Sequence, residues 1–221
     1  MVVQRQTPGW KVRKLATGGL LALALAGGVS CGGLNKEAGI GPSYLYIEQL
    51  TAASGAKPDS FGNVLQADVI TYVKKQIGGE QVLQATIFED MGRAVLRMAL
   101  KDPGSAGAPT TPTYVNSITV TRYRVVFKRA DGRNTQGIDV PFAFDGGATG
   151  TFDSNGGTLS FSIVRAQAKM EAPLMALRSG GGDVLVSTIA EITFYGHDQN
   201  NNEVSVTGMM SINFCDWGDP E

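Results

Sequence analysis

The stretch Val184–Cys215, VLVSTIAEITFYGHDQNNNEVSVTGMMSINFC, decides the fold. Val184, Val186, Thr188, Ala190, Ile192 and Phe194 share one parity, and Val204, Val206, Gly208, Met210, Ile212 and Phe214 repeat the pattern after a polar break. The break is Gly196-His197-Asp198-Gln199-Asn200-Asn201-Asn202-Glu203. Two alternating runs joined by a Gly/Asn/Asp loop predict a β-hairpin. A period of two also means one buried face per strand. The opposite face of the second run carries Ser205, Thr207, Ser211, Asn213 and Cys215, so this register predicts a Cys215 thiol on a polar, reachable face.

Working outward, the same logic recurs. Thr119, Thr121, Tyr123, Val125 and Phe127 alternate with Val120, Arg122, Arg124, Val126 and Lys128, and Ala130-Asp131-Gly132-Arg133 then turns the chain. Ile138, Val140, Phe142 and Phe144 share a parity with Pro141 opposite, which predicts an edge strand because proline lacks a ladder donor. Leu159, Phe161 and Ile163 hold one parity and Val164, Ala166, Ala168 and Met170 the other. A switch of that kind at 163–164 predicts a β-bulge. Tyr44–Leu50 reads as a first strand. Residues 61–73 fit a strand through Leu65, Ala67, Val69, Thr71 and Val73, and also a helix through Phe61, Val64, Leu65, Val69, Tyr72 and Val73. Residues 82–100 share that ambiguity, with Gly92 and the 94-96-98-100 parity favouring strands. Consistency with an all-β body selects strands in both places. The expectation is an all-β, immunoglobulin-like antiparallel β-sandwich of about eight or nine strands over residues 44–221. Pro103, Gly104, Gly107, Pro109 and Pro112 mark 103–113 as a loop, where a split into two small sandwiches is the alternative.

Composition narrows the classes further. With 221 residues, 43% hydrophobic and 18% charged, the chain is long enough for a real core and is neither disordered, collagen-like nor a disulfide-dense toxin. Nineteen basic against 20 acidic residues exclude a strongly basic nucleic-acid binder, and a single His excludes a His-rich metal site.

Residues 1–30 read as an address rather than as fold. Arg5, Lys11, Arg13 and Lys14 form a basic leader without acids, and Leu15–Val29 is apolar or small around Leu20–Ala26. That run is shorter than the roughly 18 residues of a spanning helix. It ends in Gly28-Val29-Ser30-Cys31, and here the chain resembles a bacterial lipoprotein precursor, with Gly28 where an aliphatic residue is usual. The resemblance implies cleavage before Cys31, lipidation of Cys31 (palmitate-type acyl chains) and membrane attachment through that lipid. Each buried methylene contributes about 0.8 kcal/mol, so two or three chains hold firmly. In a two-membrane cell the resemblance also implies the outer membrane, because Gly32 stands where an inner-membrane retention Asp would be. Ala24-Leu25-Ala26 offers an ordinary cut and a secreted, soluble product, and an uncleaved anchor is the third reading. Residues 31–43 then form a Gly-containing flexible tether. Lipidation leaves Cys215 as the odd thiol, able to pair between molecules, stay buried or react; the ordinary cut would allow a Cys31–Cys215 bridge. The body is similar in general appearance to immunoglobulin-like or fibronectin-like domains of bacterial envelope proteins, and to uncharacterised lipoproteins of similar size.

The chemistry-bearing residues are few. His197 beside Asp198 is not a triad, and no G-x-S-x-G elbow is present, so no catalytic residue is assigned. Asp145, Asp153 and Asp198 lie in oxygen-rich stretches that could be calcium candidates, but Asp and Asn are also default turn formers and the EF-hand pattern is missing. No metal and no cofactor is therefore expected. The glycines of 145–157 lack the Lys-Ser or Lys-Thr of a phosphate loop. Arg122, Arg124 and Lys128 form a basic stripe that could meet phosphate or carboxylate groups, or pair with acids such as Glu191 or Asp139. The function expected is a non-enzymatic envelope lipoprotein that binds a protein or glycan through sandwich loops or a sheet edge. A secreted structural or adhesive module assembling through edge strands or Cys215 is the alternative, and a hydrolase ranks last.

Overall fold

The computed structural model describes residues 42–179 and 184–219. Residues 1–30, expected to be a signal segment, Cys31, and all but the last two residues of 31–43, expected to be a tether, lie outside the described residues. Twelve strands are formed among the described residues: β1 (Ser43–Ala53), β2 (Val64–Asp68), β3 (Thr71–Ile77), β4 (Glu80–Thr86), β5 (Asp90–Leu100), β6 (Gly104–Ser105), β7 (Ala108–Pro109), β8 (Ile118–Lys128), β9 (Phe144–Phe152), β10 (Gly157–Val164), β11 (Val186–Asp198) and β12 (Glu203–Cys215). One short helix, α1 (Ala166–Met170), and two 3-10 turns, Tyr114–Asn116 and Leu174–Ser179, complete the set.

Eight strands build an all-β sandwich. One sheet has the order β1-β5-β10 and the other β2-β12-β11-β8-β9. β11 and β12 pair along their whole length, from Val186 opposite Phe214 to His197 opposite Glu203, as the alternation of 184–215 requires. Every pair is antiparallel except β2 with β12, which run parallel. This parallel edge is a departure from the purely antiparallel expectation. Parallel pairing needs a long crossover, and the chain between Asp68 and Glu203 supplies one. β2 and β5 lie before residues 103–113 and pair with β12 and β10, which lie after it. That segment is therefore a surface excursion, holding only the small β6–β7 hairpin.

The inner faces meet in one core. β5 contributes Ala94, Leu96 and Met98, β10 Leu159, Phe161 and Ile163, β11 Ala190, Ile192 and Phe194, and β12 Met210, Ile212 and Phe214. At its centre the Phe161 ring lies 5.2 Å from those of Tyr123 and Phe194, edge-on to the latter at 84°. Glycine makes room for this cluster. A Cβ on Gly92 would fall 2.5 Å from Phe161, and one on Gly146 2.3 Å from Tyr123, and each glycine is the cross-strand partner of that aromatic residue. The bulge anticipated at 163–164 is present as a register shift between Ser162 and Val164.

Five details differ from the sequence reading, each for a local reason. A second bulge between Val120 and Arg122 turns Val120 inward while Thr121 and Arg122 both face out, so β8 changes parity midway. The run 61–73 breaks after Asp68 into two strands that serve different sheets. Residues 138–143 are not a strand. The Thr135 carbonyl gathers the amides of Ile138, Asp139 and Val140, and the ladder starts only at Phe144, after Pro141. The edge strand is instead β9, which occupies most of the stretch read as a Gly-rich loop. After the bulge the chain leaves the sheet as α1 rather than extending to Met170. Finally, Cys215 is buried, 2% exposed, so its thiol is not on a reachable face and does not offer the assembly route proposed for it. Alternation predicts an open outer face only where nothing crosses it. Here the tail folds back, with the Cys215 carbonyl accepting from the Val69 amide, the Trp217 amide donating to Asp68 and Asp219 accepting from the Tyr72 amide.

Candidate functional site

The basic stripe is brought together as its sequence spacing implies, and it is paired. Arg124 on β8 meets Asp145 on β9 at 2.5 Å, and Arg122 reaches the same carboxylate at 3.5 Å. Lys128 meets Glu191 on β11 at 2.7 Å. These are exposed cross-strand pairs, each worth at most about 1 kcal/mol. Arg122 also stacks 3.7 Å above the Tyr195 ring, beside a shallow open depression of about 460 Å³ lined by His197, Asn201 and Glu203 among others. Arg129 and Arg133 both grip Asp131, whose carboxyl is held well below its usual range, chiefly by the Arg129 hydrogen bonds.

The three oxygen-rich positions do not converge. Asp145 sits on β9 with the arginines. Asp153 accepts the amides of Asn155 and Gly156 in the β9–β10 turn, which lowers its pKa. Asp198 is buried at the end of β11 and holds the hairpin loop by accepting the amides of Asn200 and Asn202 and the Asn202 side chain. All three act as turn or strand partners.

Two features were not singled out by the sequence. The first is the β3–β4 hairpin. It forms a two-stranded sheet of its own, and every residue from Lys74 to Ala85 is exposed. Gly78 and Gly79, with φ of 62° and 92°, make the tight two-residue turn that needs positive φ at both central positions. One face presents Tyr72, Lys74, Leu83 and Ala85, and the other Val73, Lys75, Ile77 and Val82. The root is fixed by Thr71 Oγ1 donating to Asp68 at 2.5 Å and by the Tyr72 amide donating to Asp219 at 2.6 Å. An isolated hairpin is only marginally stable in water, so its side chains are unfinished business on the surface.

The second feature is a buried polar cluster at that root. Asp90 opens β5 at the inward parity, and Lys169 reaches it from α1. Lys169 Nζ lies 2.7 Å from Asp90 Oδ1, with both side chains essentially without solvent contact. The Gly55 amide donates to the same oxygen at 2.8 Å, while Oδ2 accepts no hydrogen bond from the described residues. Burial pushes the Asp90 carboxyl up to about 6, against the pull of Lys169. Asp68 is likewise raised by burial, although Thr71 and the Trp217 amide bond to it. Asp216 is raised by burial and by the neighbouring charges of Asp68 and Asp219. A sequence signal for the pair exists in half: Asp90 falls on the parity of Ala94, Leu96 and Met98, which places a charge on the inward face. Lys169 gave none, because the strand reading misplaced it.

No protein-family model, curated protein or solved structure matches the chain.

Proposed function

We propose that the chain is an envelope lipoprotein of binding type, anchored by acyl chains on Cys31, whose sandwich holds the β3–β4 hairpin out as the element that engages a partner protein. The observation that carries this reading is the hairpin itself. Tyr72 is 41% exposed, Ile77 54%, Val82 43% and Leu83 61%, on a ribbon that contributes no residue beyond Thr71 to the buried interior. Exposed aliphatic and aromatic side chains grouped on a projecting element mark an interaction site more often than a stabilising one. Among the described residues no further strand pairs with either outer edge of the ribbon, and open edges accept an added strand. A protein suits these features better than a glycan, since a protein supplies both strand edges and apolar side chains. The charged outer face of β8 adds little, because its cations already have carboxylate partners.

Two measurements test the reading. Labelling with radioactive palmitate should mark the native chain and not Cys31→Ala; equal labelling removes the anchor. A photo-crosslinking residue at Leu83 should give a discrete protein adduct in intact envelopes, while one at exposed Asn200, on the β11–β12 loop, should not. Equal adducts from the two positions would exclude the hairpin as the specific contact.

A further inference from the structure

The buried pair of Asp90 and Lys169 joins segments 79 residues apart in the chain, and its geometry suits more than an ion pair. We propose that Lys169 and Asp90 condense into an intramolecular amide that staples α1 to the start of β5. The inference does not depend on the lipid anchor or on the hairpin's partner.

Position comes first. An amine nitrogen 2.7 Å from a carboxyl oxygen lies within about 3.5 Å of the carboxyl carbon, close enough to attack once it rises out of the carboxyl plane. Holding two groups in this way is equivalent to an effective concentration on the order of 10⁵–10⁸ M. In bulk solution water opposes condensation by mass action, but neither side chain here touches solvent. The Asp90 carboxyl is held up at about 6, so its neutral, more electrophilic form is populated near neutral pH.

The atoms balance without another reactant. The Lys169 ammonium first passes a proton to the Asp90 carboxyl it faces, and the freed nitrogen then attacks the carboxyl carbon, so that a C–N bond forms. One ammonium hydrogen stays on the amide nitrogen. The other two end on Oδ2, which accepts no hydrogen bond from the described residues, and the C–Oδ2 bond breaks to release one water. Charge is conserved, because one positive and one negative group give a neutral amide. Oδ1 remains as the amide oxygen and keeps the Gly55 amide, 2.8 Å away, as a donor while negative charge collects on it in the tetrahedral intermediate. Nothing is oxidised or reduced.

The bond would link the parts of the chain on either side of the exposed 103–113 excursion, and that gives a direct test. A site-specific protease sequence is inserted between Gly107 and Ala108 of the full chain, the folded protein is cut, and the product is run reduced on a denaturing gel. The expected result is one band at the uncut mass or a branched species near it, with Lys169→Met separating into two fragments. Peptide mapping of the wild type should return the Lys169 and Asp90 peptides joined, at their summed mass less one water. Two wild-type fragments, together with separate Lys169 and Asp90 peptides at full mass, would show an ordinary ion pair and overturn the proposal. The wild-type result decides the matter even if Lys169→Met does not fold.

Discussion

At the scale of single residues, Asp68 shows how burial turns a turn-forming carboxylate into a pH-dependent part of the fold. It accepts from Thr71 and from the Trp217 amide and so ties β2, β3 and the C-terminal tail at one point. Those bonds favour its charged form, yet the loss of water outweighs them and its pKa is raised. A raised folded pKa means that the native state binds a proton more readily than the unfolded chain. The resulting stabilisation is fully present below the unfolded value of about 4 and is lost as pH rises through the folded value. Asp68→Asn has no such proton to lose, and its side chain can still accept from the Trp217 amide. The thermal midpoint of the wild type, measured against that of Asp68→Asn, should therefore fall as pH is raised from about 4 to 7. A difference that stays constant across this range would mean that Asp68 titrates as it does in the unfolded chain.

At the scale of elements, what was legible in the sequence depended on whether neighbours respected the alternation. β11 and β12 read cleanly, because thirteen residues each keep one parity without a bulge. β8 did not, since a single inserted residue near Thr121 reverses the inward face and no residue type announces it. The β3–β4 hairpin was legible only through its Gly78-Gly79 turn, because its apolar residues are spread over both faces, a pattern that alternation reads as weak strand. The same spread makes the hairpin dispensable for stability. Replacing residues 74–83 with a two-residue turn removes no residue of the core. The sandwich should then unfold within about 2–4 °C of the parent, the shift that roughly 1 kcal/mol produces in a domain of this size. Scanning calorimetry of the shortened chain gives the answer, and a loss of 10 °C or so, on the order of several kcal/mol, would show the hairpin to be a structural brace.

At the scale of the whole molecule, the topology interleaves early and late segments so thoroughly that neither sheet can exist without both. The three-stranded sheet takes β1 and β5 from the first half and β10 from the second, and the five-stranded sheet takes β2 from the first and the rest from the second. This arrangement was not legible in the sequence, where the prolines and glycines of 103–113 resemble a linker. A loop and a linker have the same composition, and only strand pairing across the segment separates them. The physical consequence is cooperativity. Leu96 on β5 and Ile212 on β12 come from different sheets and from either side of the 103–113 excursion, yet both are fully buried in one core. Truncating either to Ala removes transfer free energy and leaves a cavity, a loss of about 2–5 kcal/mol. If the sandwich folds as one body, each variant should lower a single transition whose calorimetric and van't Hoff enthalpies agree, and neither should split it. If instead Leu96→Ala gave a separate early transition while the remainder melted at the parent temperature, the three-stranded sheet would be an independent unit. The core shared by Phe161, Tyr123 and Phe194 would then be too weak to couple the two sheets, which their ring spacings of 5.2 Å across the sandwich argue against.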